Sequence, residues 1–170
     1  MTDDQQSFVP AGFTVPRTLV GDGFRLEPLG PGHNDRDLAA WTGSIAHIRA
    51  TPGFVGRGWP PVEGMSAEAN LADLVRHARE FEERVAFAYS VLEPSDGDGD
   101  GDGDGDRDGR DDVIGCLYVH PAREAPDRIQ VSSWVRADRA HLDAPLRDAV
   151  LTWLHAVWPF DGTRIDYAPR

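Results

Sequence analysis

The sequence predicts one mixed α/β domain, because apolar runs of strand length alternate with segments of helical periodicity along 170 residues, a length that suits a single core. Val85 to Leu92 and Val113 to Val119 are nearly continuous apolar runs, as expected for central strands covered on both faces. Leu71, Leu74, Val75, Ala78 and Phe81 recur at spacings of three and four, which traces one face of a helix. An apolar fraction of 40% is enough for a core without disulfides or metal.

The elements follow in order. Residues 1–23 are polar and punctuated by Pro and Gly, and read as an N-terminal arm anchored by Phe8, Val9, Phe13, Val15 and Leu19; residues 24–170 are the single domain. Phe24 and Leu26 alternate with Arg25 and Glu27 in a half-buried strand that Pro28 ends or places at an edge. Gly30-Pro31-Gly32 breaks it. Asn34 is the expected N-cap of a short helix, with Asp35 and Asp37 in its first turn and Leu38 and Trp41 buried before Gly43.

Thr51 to Gly64 reads as a loop, and Ser66 as the cap of the clearest helix. The two apolar strands then form a hairpin across the Asp/Gly tract. In the next strand Ile129, Val131, Ser133 and Val135 share one face, with Gln130, Ser132 and Trp134 on the other. Asp143 is the expected cap of a helix burying Leu146, Val150, Trp153, Leu154 and Val157, and Thr163 to Tyr167 make a last strand. The predicted order is β-α-α-β-β-β-α-β.

Charge and composition exclude several functions. Net charge is −12 with pI ≈ 4.7, which repels nucleic-acid phosphates and anionic lipid, so neither is an expected partner. All 17 basic residues are arginines, which rules out lysine Schiff-base chemistry and a lysine-dependent phosphate loop. The N-terminus lacks a charged n-region followed by an apolar stretch, and Cys116 is the only cysteine; a reducing, cytoplasmic location is the expectation. Buried in an apolar run, Cys116 reads as packing.

The repeat from Asp96 to Asp106 mimics the start of a calcium loop, with Asp111 at position twelve counted from Asp100. Its flanks are strands and its dipeptide repetition is perfect, so residues 95–112 read as a disordered hairpin loop and no metal is expected. The six histidines show no metal-ligand spacing, and no Gly-x-Ser-x-Gly elbow occurs.

Ala86 to Leu92, then Val113-Ile114-Gly115-Cys116-Leu117-Tyr118-Val119, then Val131-Ser132-Ser133-Trp134-Val135 running into a helix, together resemble the GNAT superfamily of N-acyltransferases. The resemblance spans Phe24 to Tyr167 and implies a mixed, mostly antiparallel sheet flanked by helices. In that family the fourth strand splays from the fifth and pairs with the pantetheine arm of acyl-CoA. The turn after it cradles the CoA pyrophosphate on backbone N–H groups. Carried to this chain, the cofactor-binding residues are Trp134, Val135, Arg136, Ala137, Arg139 and Ala140, the cosubstrate acetyl-CoA or CoA, and the acceptor a small-molecule or peptide amine.

Only Arg136 of that turn fits the family pattern, which has Gly or Ala where Arg139 and His141 stand. The family also continues with a further helix and two strands, so Tyr167 does not match its usual tyrosine acid. An exposed last strand invites cover by the arm or by a second copy, a homodimer. Glu27, Tyr118, His120 and Tyr167 are available as acid or base, but spacing singles out none. Trp134 reads either as core or as the wall of a cleft, and Arg136 and Arg139 either as surface residues or as a phosphate grip. The resemblance thus supports an N-acyltransferase, with a non-catalytic ligand-binding or protein-interaction domain as the alternative.

Overall fold

The computed structural model describes residues 8–94 and 111–170. Most of the expected Asp/Gly loop lies outside them, and Asp112 already belongs to a strand. The elements are β1 (Leu19–Val20), β2 (Arg25–Pro28), α1 (Asn34–Thr42), α2 (Ile45–Ala50), α3 (Ala67–Glu82), β3 (Phe87–Glu93), β4 (Asp112–Pro121), β5 (Ile129–Val135), α4 (Asp143–Val157) and β6 (Ile165–Tyr167). The predicted order holds, with two short elements added. β1 is two residues long and α2 six, too short for either period to register.

The strands lie in chain order, β1 to β6, all antiparallel except the last pair. The helix α4 carries the crossover that a parallel pair requires. One layer packs Leu146, Val150, Trp153 and Leu154 of α4 on Phe87, Tyr89, Leu117, Val131 and Val135. The opposite layer packs Trp41, Ile48 and Leu74 from α1, α2 and α3 on Ala88, Leu92, Cys116 and Trp134. Val9 is buried and Phe8, Phe13, Val15 and Leu19 pack beside it, so the described part of the arm lies on the α4 layer.

A bulge re-phases β4. Val91 pairs with Gly115 and Leu92 with Val113, which leaves Ile114 as the extra residue. Val113 and Cys116 consequently face the same layer although three positions apart. Gly115 is required there: a Cβ on it would stand 2.1 Å from the Trp134 carbonyl oxygen.

Four local expectations are corrected. His33, not Asn34, is the N-cap of α1, and the Asn34 side chain instead bridges to α3 through Ala67 and Asn70. Asp143 makes no capping bond, because its carboxylate is held by Arg170 at 2.6 Å. The apolar face expected of α3 is rotated: Leu71 and Val75 are exposed, while Asn70, Leu74 and Phe81 are buried. Val157 is likewise exposed. Ser66 does cap α3, accepting from the Ala69 N–H at 3.1 Å, and β5 alternates as expected.

Candidate functional site

The strands β5 and β6 pair over three residues, Ile129 with Ile165, Gln130 with Asp166 and Val131 with Tyr167, where β6 ends. Arg128 clamps the closed end through two bonds to the Asp166 carboxylate at 2.5 and 2.7 Å. Beyond Val131, side chains from Tyr167 and Arg170 hold β5. Tyr167 hydroxyl bonds Ser133 Oγ, and the Arg170 guanidinium donates to the Ser133 carbonyl at 2.9 Å, to Asp143 at 2.6 Å and to the Pro52 carbonyl at 3.2 Å. Arg147 on α4 holds the segment from the other side, donating to the carbonyls of Tyr167 and Ala168. Burial, only partly offset by the Ser133 bond, pushes the Tyr167 phenol up to about 12.

The turn that follows β5 is a 3-10 segment, Ala137–Leu142. Several of its backbone donors have internal partners: Arg136 N–H bonds the Ile114 carbonyl at 2.8 Å, Ala137 N–H bonds Ser44 Oγ at 2.9 Å, and Arg139 N–H bonds the Arg136 carbonyl at 2.9 Å. The Arg136 guanidinium forks onto Asp138 at 3.0 and 2.7 Å and also reaches Asp112 at 2.7 Å. Arg139 pairs with Glu93 at 2.8 Å and with Asp138 at 3.3 Å. Hydrogen bonding by Arg136 holds the Asp138 carboxyl below its ordinary range. Three carboxylates therefore surround two arginines. The adjoining cavity, about 670 Å³, adds Asp35 and Arg36 to its rim.

A second cavity, about 350 Å³, lies on the opposite layer between α1, α3, β4 and the loop after α2. Phe54, Trp59 and Tyr118 wall it, with ring centroids 5.8 Å apart for Phe54 and Trp59 and 6.5 Å for Phe54 and Tyr118. Trp41 and Trp134 back Trp59 at 5.8 and 6.2 Å. Its polar floor is a chain of bonds: Trp41 indole N–H donates to Asn70 Oδ1 at 3.1 Å, and Asn70 Nδ2 donates to Asp37 Oδ2 at 3.1 Å. Burial raises the Asp37 carboxyl above its ordinary value. His77 and Tyr118 continue the lining into a cleft of about 340 Å³ that also holds His120, Arg123 and Ser132. Burial, reinforced by Arg76, lowers His77, so its imidazole is neutral near neutral pH.

Among the expected cofactor residues, Trp134 is fully buried and donates to the Tyr118 hydroxyl at 3.3 Å, while Val135 is buried in the α4 layer. Ala137 and Ala140 are exposed, and Arg136 and Arg139 are engaged by carboxylates. Among the acid and base candidates, Tyr118 and His120 share one cleft. Tyr167 is tied to Ser133. Burial works to raise Glu27, but His33 at 2.6 Å and Arg25 at 2.9 Å outweigh it and hold it below its ordinary range. Sequence reading missed Asp37, Asn70 and His77. The available signal was polar residues at 70 and 77 on the helical repeat that buries Leu74 and Phe81. Burial of Cys116 agrees with its reading as packing. Among the described residues no group of three His, Cys, Asp or Glu is placed to hold a metal ion, and no helix is long and apolar enough to cross a membrane.

A six-stranded mixed sheet flanked by helices, with a strand-to-helix turn after β5, matches a GNAT-like fold. Solved structures agree. The ribosomal-protein-S5-alanine acetyltransferase from Vibrio fischeri matches with TM-score 0.53 and 10% identity over 81% of this chain and 66% of that one. The microcin C7 self-immunity acetyltransferase MccE, in complex with acetyl-CoA and AMP, matches with TM-score 0.54 and 8% identity over 83% and 66%. The apo form of RimL, a ribosomal L7/L12 α-N-protein acetyltransferase, matches with TM-score 0.55 and 12% identity over 86% and 69%. The chain thus spans just under two thirds of the first of these. No protein-family model matches the sequence, and no curated protein does.

Proposed function

We propose that this chain is a small-molecule-binding domain on the acyltransferase fold, taking its ligand in the aromatic cavity beside Asp37 while its own side chains fill the acyl-CoA slot. The observation that carries this reading is the Arg170 guanidinium, which bonds β5, α4 and the loop after α2 beyond the last β5–β6 pair. A pantetheine arm pairing with β5 beyond Val131 would have to displace it. The side chain of Arg170 is 7% exposed and that of Asp143 18%, so removing the guanidinium strands a poorly solvated carboxylate.

The residues at the turn also fit CoA poorly. Asp138 takes the two arginines that would grip a pyrophosphate, and its own charge repels one. Three backbone donors at the turn, of Arg136, Ala137 and Arg139, are spent on Ile114, Ser44 and Arg136.

Isothermal titration tests the reading. CoA and acetyl-CoA should give no heat with the full chain at millimolar concentration, and Asp138→Asn combined with Arg170→Ala should gain measurable CoA binding. Micromolar binding by the unaltered chain would overturn it. That result would favour the second reading, acetyl transfer from acetyl-CoA to an amine. One observation speaks for this second reading: the neutral His77 beside Tyr118 as a proton acceptor.

A further inference from the structure

We propose that the cavity between α1, α3 and β4 binds a small aromatic carboxylic acid, its ring against Phe54, Trp59 and Tyr118 and its carboxylate on the Arg57 guanidinium. The proposal rests on the ligand-binding reading of the same cavity and names the chemistry of its occupant.

Among the described residues, every arginine except Arg57 and Arg123 has a carboxylate or carbonyl partner for its guanidinium. Those two line joined cavities: Arg57 the aromatic one, and Arg123 the cleft that continues it past His77 and Tyr118. The carboxylates of the same lining are the reverse case. Asp73 and Glu80 share Arg76, at 3.6 and 3.2 Å. Asp37 accepts at both oxygens, from the Cys116 thiol at 3.4 Å and the Asn70 amide at 3.1 Å, and burial opposes its ionisation. Each carboxylate of this lining is thus already engaged, whereas an anionic guest finds an open guanidinium.

The charges of the joined lining cancel, Asp37, Asp73 and Glu80 against Arg57, Arg76 and Arg123, in a chain of net charge −12. The repulsion that the rest of the surface exerts on an acid is relieved there. Arg57 rather than Arg123 takes the head group because it shares a turn with two of the aromatic walls. Its N–H bonds the Phe54 carbonyl at 3.1 Å, and Trp59 follows two residues on. Gly56 and Gly58, with φ of 76° and 72°, supply the left-handed backbone on either side that makes the turn. A planar guanidinium offers paired N–H donors that match one carboxylate. A phosphate dianion would carry twice the charge past Asp37 and Asp73. The volume, about 350 Å³, suits an acid of roughly a dozen heavy atoms or fewer.

Calorimetric titration of the full chain at neutral pH and low salt with sodium 3-phenylpropionate, and with 3-phenylpropanamide as its uncharged counterpart, tests this. The acid should bind about threefold or more tightly than the amide, and added salt should erode the difference. Arg57→Gln should abolish the preference, and Arg123→Gln should keep most of it. Both arginines are exposed, so neither substitution reaches the core. Equal affinity for the two probes, no binding of the acid at millimolar concentration, a preference that survives in Arg57→Gln, or its equal loss in Arg123→Gln would overturn the proposal. Micromolar CoA binding with the acid preference intact would sink the ligand-binding reading alone. Silence toward CoA without an acid preference would sink this proposal alone, so the two failures are distinguishable.

Discussion

Arg170 and Ser133 meet where β6 has ceased to pair with β5: the guanidinium donates to the Ser133 carbonyl at 2.9 Å and to its hydroxyl at 3.3 Å. A backbone group that a further strand or an extended ligand would otherwise satisfy is satisfied by a side chain. The same guanidinium neutralises Asp143 at the start of α4.

This arrangement makes the pair energetically inseparable. Arg170→Ala should destabilise the domain by about 3 kcal/mol, because it leaves the Asp143 carboxylate without its cation. Adding Asp143→Ala should restore part of that loss, so the double variant is more stable than the sum of the singles predicts. Urea denaturation of the four proteins measures the coupling. Strict additivity would mean that Arg170 is a surface residue in solution.

A second prediction concerns Gly115, against which the β5 backbone packs. Gly115→Ala puts a methyl group 2.1 Å from the Trp134 carbonyl oxygen, an overlap that only backbone movement relieves. The expected cost is about 1–3 kcal/mol or more, read as a lower urea midpoint. The Trp134 to Tyr118 bond at 3.3 Å should loosen with it.

A third follows from the two titratable groups of the aromatic cavity, whose signs oppose. The folded state holds His77 below the ordinary 6.5, so stability is intact above that value and falls as pH drops beneath it. It holds Asp37 above the ordinary 3.8, so the stability Asp37 contributes is complete below 3.8 and is lost as pH rises through the raised value. Asp37→Asn should therefore gain about 1 kcal/mol at neutral pH, with the gain vanishing in strong acid. Melting temperatures across a pH series check it. A destabilised variant at neutral pH would show that the ionised carboxylate is already compensated.

The sequence revealed what periodicity can carry. The alternation of β5 placed Ile129, Val131, Ser133 and Val135 on one face correctly, and the two apolar runs paired as a central hairpin. On α3 the same reasoning placed Leu74 and Phe81 correctly but also counted Leu71 and Val75 as core, when Asn70 and His77 take the inward positions. Polar residues turned inward are what a pocket requires and what a hydrophobic pattern hides. Asp37 looked like an ordinary first-turn acid. Its burial comes from α3 and β4, distant in the chain. Arg170 carried no local signal at all, since its partners Asp143, Ser133 and Pro52 are 27, 37 and 118 residues away.

The five tryptophans are divided between the two faces of the sheet, with Trp153 and Trp158 packed together under α4 and Trp41, Trp59 and Trp134 across from them. Of the second group, Trp59 alone is partly open and walls the cavity. The molecule therefore carries its own optical reporter. Entry of a guest perturbs emission from one face and leaves the other as an internal reference, so occupancy can be followed without a dye.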